Sequence, residues 1–240
     1  MSTLLEEAVE AHGGIDSWNR LRTVAATLDI GGAVWPLKGQ TGMFRNMALA
    51  ASLKRQHMSM TSPSAGWQGT FTPDTVRIES LDDAGAEERR APRQSYGAHV
   101  QETQWDRLHA LYFTGYALWT YLSIPFLYTT PGFETEALSE WHENGEVWRR
   151  LKVRFPDSIA SHSREQVSYF GEDGLLRRHD YTVDVMGGAP GANYASNYRE
   201  VQGIMVPMTR RVYAYDAAGQ KVEEPLLVTI DLRNVEFRAE

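Results

Sequence analysis

The stretch GLLRRHDYTVDV, residues 174–185, decides how this chain is read. Gly174 closes a turn, and the residues after it have the period of two expected of a β-strand. Successive strand side chains point to opposite faces. One face therefore carries Leu175, Arg177, His179, Tyr181, Val183 and Val185, and the other Leu176, Arg178, Asp180, Thr182, Asp184 and Met186. The first face is the more apolar, so His179 and Tyr181 are expected inward and Asp180 outward. His179 and Asp180 then form no dyad. His179 is either a satisfied wall residue beneath Tyr181 or the polar spot of a ligand site.

The alternation continues on both flanks. GEVWRRLKVRF (145–155) alternates cleanly, and EQVSYF (165–170) joins the opening stretch through the turn GEDG. NYREVQGIMVP (197–207), TRRVYAYD (209–216) and LLVTIDLRNVEF (226–237) supply further strands. Upstream, residues 23–30 alternate, 41–61 hold two strands, 62–69 read as a turn and 74–79 as a strand. Residues 82–94 read as an exposed connection. Asn144-Gly145 marks a tight hairpin. Residues 1–22 form an N-terminal helical segment, its first helix capped by Ser2 or Thr3 and stopped at Gly13-Gly14. In 102–123, Trp105, Leu108, Tyr112, Tyr116 and Trp119 recur at helical spacing until Pro125 ends the run. An apolar loop follows at 123–133. The expectation is one mostly β (α+β) domain over 1–240. Nine to eleven strands form a curved antiparallel sheet, with a short N-terminal helix and an aromatic helix packed on the sheet.

A formal charge of −7 argues against a nucleic-acid surface. The pairs Arg89-Arg90, Arg149-Arg150, Arg177-Arg178 and Arg210-Arg211 read as solvated strand faces and edge protection. The chain has no cysteine, which rules out disulfides and thiol chemistry. The N-terminus lacks a basic segment followed by an apolar one, the pattern of a secretory leader, so a cytoplasmic location is expected. Residues 108–128 are apolar but broken by His109, Gly115 and Pro125, unlike an integral membrane segment. Seven Trp, 11 Tyr and 8 Phe are a generous supply of side chains for lining a pocket or filling a core.

Asp106 and His109 are neighbours at i, i+3 and form either a helix cap or an acid–base pair. His162 is expected at a rim. Glu140, His142, Glu143 and Glu146 cluster around the Asn144-Gly145 turn and read as a solvated hairpin. No metal-ligand spacing, phosphate loop, dinucleotide motif or nucleophile elbow occurs, so neither metal nor cofactor is expected.

The order YFGEDGLLRRHDYTVDV … NYREVQGIMVPMTRRVY … VTIDLRNVEF resembles the C-terminal half of LolA-like proteins. Phe170, Gly174, Leu175, Leu176, Arg178, Asp180, Tyr181, Tyr198, Gly203, Ile204 and Pro207 carry the match. EAHGGIDSWNRLRTV is similar to the start of the broader group. The resemblance implies an eleven-stranded half-barrel, open on one side and lidded by helices, with acyl chains held on its concave face. The expected function is binding of a hydrophobic or amphipathic small molecule: a lipid, a fatty acyl group or a polyketide- or terpenoid-like compound. Trp105, Tyr112, Tyr116, Trp119, Phe126 and Tyr169 would line the site, with Arg177, His179 and Tyr181 orienting a polar end. The alternative is a cofactor-free isomerase, cyclase or hydrolase using His179, Tyr181, His109 or Asp106 on a lipophilic substrate.

Overall fold

The computed structural model describes residues 3–82 and 85–239. The chain lays down two antiparallel runs of strands. The first is β1 (Thr23–Gly31), β2 (Met47–Ser52), β3 (Met58–Ser62), β4 (Trp67–Phe71), β5 (Thr75–Ser80) and β6 (Ala86–Arg90). The second is β7 (Glu134–Glu143), β8 (Glu146–Arg154), β9 (Glu165–Phe170), β10 (Leu176–Val183), β11 (Ala189–Val201), β12 (Ile204–Tyr215), β13 (Lys221–Val222) and β14 (Val228–Arg238). Pairing of β1 with β14 joins them into one sheet, in the order β6-β5-β4-β3-β2-β1-β14-β12-β11-β10-β9-β8-β7, with β13 against β12. The ends β6 and β7 do not meet, so the sheet is an open half-barrel of 14 strands.

That topology places the long helix. The chain leaves one edge at β6 and must reach the opposite edge at β7, and α4 (Arg107–Ser123) is the connection. It lies in the concavity and is buried on nearly every side, wider burial than the single aromatic stripe predicts. An all-round apolar helix has no wet face to show. Gly115 permits the close approach, because a Cβ there would collide with the Phe71 ring on β4. Trp119 donates its indole N–H to the Ser52 carbonyl at 2.7 Å.

At one end of the half-barrel, α1 (Leu4–Ala11) and α2 (Ile15–Arg20) cover the core. Thr3 caps α1 in a reciprocal box with Glu6; Ser2, the other candidate cap, lies outside the described residues. Trp18 stacks on Phe126 with ring centroids 4.3 Å apart. At the other end sits the single turn α3 (Val34–Leu37).

Fourteen strands exceed the nine to eleven, and the eleven of the resemblance. The connection 82–94 contains β6, whose residues are mostly exposed. With no face on the core, β6 has no reason to alternate, and its charges suit an edge. The segment read as a turn at 62–69 ends inside β4. Asn144 and Gly145 take positive φ between β7 and β8, as the hairpin requires.

Candidate functional site

A β-bulge between Leu176 and Arg178 sets the inner face of β10. Beyond it His179, Tyr181 and Val183 face α4, while Arg178 and Asp180 face the convex side. Before it the parity is reversed: Leu176 enters the core and Arg177 lies outside, paired with Asp173 at 2.8 Å and Glu146 at 3.3 Å. Arg177 is therefore not an inner-face contact, because the bulge turns the strand beneath it.

His179 is fully buried, and neither ring nitrogen has a hydrogen-bond partner. Burial, with the Arg210 charge adding to it, pushes its pKa down to about 3. Tyr181 meets His179 edge-on at 5.2 Å and stacks on His162 at 3.9 Å. Its ring lies flat against Gly191 directly across the β10–β11 pair, where a Cβ would come within 2.6 Å of it. The Tyr181 hydroxyl is 2.5 Å from that of Tyr121, which is 2.7 Å from Nε2 of His162. The Tyr116 hydroxyl approaches the other nitrogen, Nδ1, at 3.3 Å. His162 is buried inside this network rather than standing at a rim, because its loop is tied inward by the Asp184 N–H donating to its carbonyl.

Above this floor, between α4 and the concave sheet, is a cavity of about 290 Å³. Phe113, Ala117 and Leu118 of α4 form one wall, and Val183, Val212 and Ile230 of the sheet form the other. Its mouth is marked by the exposed lining residues Leu37, Gln101, Val222 and Glu224. Lys38 closes one side of it. Its ammonium donates to the carbonyls of Gln101 at 2.6 Å and Thr103 at 3.1 Å, clamping that loop to α3.

A second space of about 20 Å³ adjoins the first, sharing Leu118, Tyr121 and Ile230 with it. Arg210 of β12 lines it, 2% exposed, its Nη2 donating to the Tyr121 carbonyl at 2.9 Å. Asn193 stands opposite His179 across the β10–β11 pair and lies beside the Tyr121 hydroxyl, yet makes no hydrogen bond of ordinary geometry. Sequence reasoning missed Tyr121, Asn193 and Arg210, and put Arg210 on a solvated face. The signal that could have found Arg210 was alternation: Ile204, Val206, Met208, Arg210 and Val212 share the buried face of β12.

The other expected residues lie elsewhere. Asp106 and His109 form a capping box at the start of α4, with Asp106 also bound to Arg89. Trp105 packs on Phe113 and under the Lys38 ammonium. Tyr112 tilts against Phe71. Tyr116 bonds His162, Trp119 is committed to β2, and Phe126 lines the small space below the cavity. Tyr169 is on the convex face, donating to Asp180 at 2.7 Å. Among the described residues no three His, Asp or Glu side chains group as metal ligands. No described helix is long and apolar enough to cross a membrane.

Acid–base work at neutral pH needs a base and an acid with pKa values near 7. Here burial drives His162 well below its ordinary value and lifts Tyr121 to about 12 and Tyr181 well above its ordinary value. The shifts move the groups apart, away from the near-neutral values that acid–base work favours.

No protein-family model matches the chain, and no curated protein matches it by sequence. Solved structures do match. A LolA superfamily protein of Nitrosomonas europaea superposes with a TM-score of 0.54 at 10% identity, covering 98% of this chain and 92% of the other. A domain assigned to outer membrane lipoprotein sorting in Vibrio parahaemolyticus gives 0.54 at 11% identity, covering 98% and 91%. The chain thus has a LolA-like fold, at great sequence distance. The cytoplasmic expectation does not stand, since the fold is shared with a domain assigned to the outer membrane sorting route.

Proposed function

We propose that the cavity under α4 takes up one hydrophobic or amphipathic small molecule. The observation that carries this reading is the cavity itself, mostly apolar, reaching the surface at Leu37 and Val222 and bordered on its inner side by Tyr121 and Tyr181. Binding sites are commonly concave and apolar with a few convergent polar groups, and about 300 Å³ is the low end of their range. That size suits a single acyl chain or a compact ring system, and is too small for several chains together. Burial gives about 0.8 kcal/mol per methylene; the cost of immobilising the ligand offsets part of it. Catalysis on the same scaffold is the weaker reading, because its acid and base are shifted in opposing directions.

Native mass spectrometry of the purified chain should show a co-purified adduct. After delipidation, the neutral dye Nile red should bind saturably. Ala117→Phe, which fills the cavity from α4, should weaken that binding about tenfold or more with the melting temperature within about 4 °C. Dye binding unaffected by Ala117→Phe would place the ligand elsewhere.

A further inference from the structure

Arg210 is not explained by the needs of the fold. Its guanidinium lies among the hydroxyl-bearing side chains of Tyr121, Tyr128, Tyr181 and Tyr198, and no described carboxylate pairs with it. Nη1 has no hydrogen-bond partner. Arginine does not shed its proton when buried, and a buried charge without a counter-charge is among the costliest groups an interior can hold. Two neighbours share the condition. Both polar atoms of the Asn193 amide and both nitrogens of His179 are buried and unpartnered. Three side chains, each more than nine-tenths buried, thus gather around Tyr121, which borders both spaces, with polar atoms unused.

Charge is uneven along the cavity. The small adjoining space carries Arg210, and among the described residues the only carboxylate lining the chamber is Glu224, at the mouth. An anionic amphiphile entering tail first would leave its charge beside Glu224. Entering head first, it would bring that charge to Arg210. The space at Arg210, about 20 Å³, is the size of one water or one carboxylate oxygen. Leu118, Tyr121 and Ile230 border both spaces, so a head group reaching Arg210 from the chamber passes these side chains. The Tyr121 hydroxyl, now shared with Tyr181 and His162, can donate to the incoming head group instead.

We infer that the ligand is a single-chain carboxylate amphiphile of fatty-acid type, bound head inward. Its carboxylate pairs with Arg210 and accepts from Tyr121 and Asn193, and its tail lies in the apolar chamber toward Leu37 and Val222. This inference rests on the binding reading above and names the ligand class for the same site.

The test compares dodecanoate with dodecanol, equal in chain length and differing in charge, as competitors of Nile red on the delipidated full chain at neutral pH. Wild type should prefer dodecanoate by about tenfold or more, the scale of a hydrogen-bonded charge pair. Arg210→Met should bring the ratio to about one, and Arg210→Lys should restore part of it as a point charge. A wild-type ratio near one, or a preference for dodecanol, overturns the carboxylate assignment while leaving cavity binding in place. Failure of Nile red to bind at all overturns the cavity reading and this inference with it. The wild-type comparison needs no variant, so misfolding of Arg210→Met does not blunt the test.

Discussion

Two arginines of this sheet are equally buried and differ in what surrounds them. Arg178, on the convex side of β10, is fully covered and fully paired. Its Nε and Nη2 grip Asp180 at 2.6 and 2.8 Å, Nη1 reaches Glu143 at 3.0 Å, and Nη2 also donates to the Gly219 carbonyl at 2.7 Å. The rings of Trp141, Tyr169, Tyr194 and Tyr215 surround it at 5.0 to 5.9 Å. Arg210, on the concave side of β12, is also ringed by tyrosines but has one carbonyl and, among the described residues, no acid. Where the fold needs a buried cation for itself, it supplies a carboxylate two residues away on the same strand face and another from a hairpin tip. On the concave face it supplies none. A saturated site holds structure together, whereas an unsaturated one has capacity left for a ligand.

Stability measurements can break this contrast. Arg178→Met strands the Asp180 and Glu143 carboxylates in a dry setting and should cost about 3–5 kcal/mol in urea unfolding. A loss below about 1 kcal/mol would show the convex pair to be solvated, and the contrast would lapse. Next in size is acid sensitivity on the concave side. Burial first holds His179 at about 3, His12 at about 4 and His162 well below its ordinary value. Their unfolded forms take up a proton near pH 6.5. A depressed folded pKa means that stability is fully present above about pH 6.5 and is lost as pH falls toward the folded values. By about pH 5 His179 and His12 each remove about 2 kcal/mol, and His179→Gln should flatten the decline by that share. An unfolding midpoint that does not move between pH 7 and about pH 5 would contradict the buried, neutral state. Smallest is Arg210→Met, which deletes an unpaired charge along with one hydrogen bond. Its unfolding free energy should stay within about 1 kcal/mol of wild type. A loss as large as that of Arg178→Met would make Arg210 a structural residue and remove the asymmetry.

Much of the scaffold was legible because period and turn chemistry are local. Val24, Ala26, Leu28 and Ile30 alternate along β1, and Asn144-Gly145 marks its hairpin without reference to any partner strand. α4 was legible in position, though not in the depth of its burial. Its aromatic stripe says that one side is buried, while the sheet wrapped around it decides that the rest is too. β6 stayed hidden because an edge strand exposed on both faces carries no alternation to find. Asp106 and His109 stayed open between two readings, since a capping box and a reactive pair have the same spacing, and the structure shows the box.

For the candidate site, sequence alone placed His179 and Tyr181 on one wall and turned Asp180 away, since strand parity needs nothing beyond neighbouring residues. Tertiary structure decided the rest. The bulge at 176–178 turned Arg177 outward, and a bulge shows itself only when a partner strand supplies the register. Register across β10, β11 and β12 then brought Asn193 and Arg210 toward His179, and the crossing of α4 brought Tyr121 down onto them. Those residues belong to four different elements, α4, β10, β11 and β12. What joins them is cross-strand pairing and a helix spanning the open side of a half-barrel, neither of which is encoded in any one stretch.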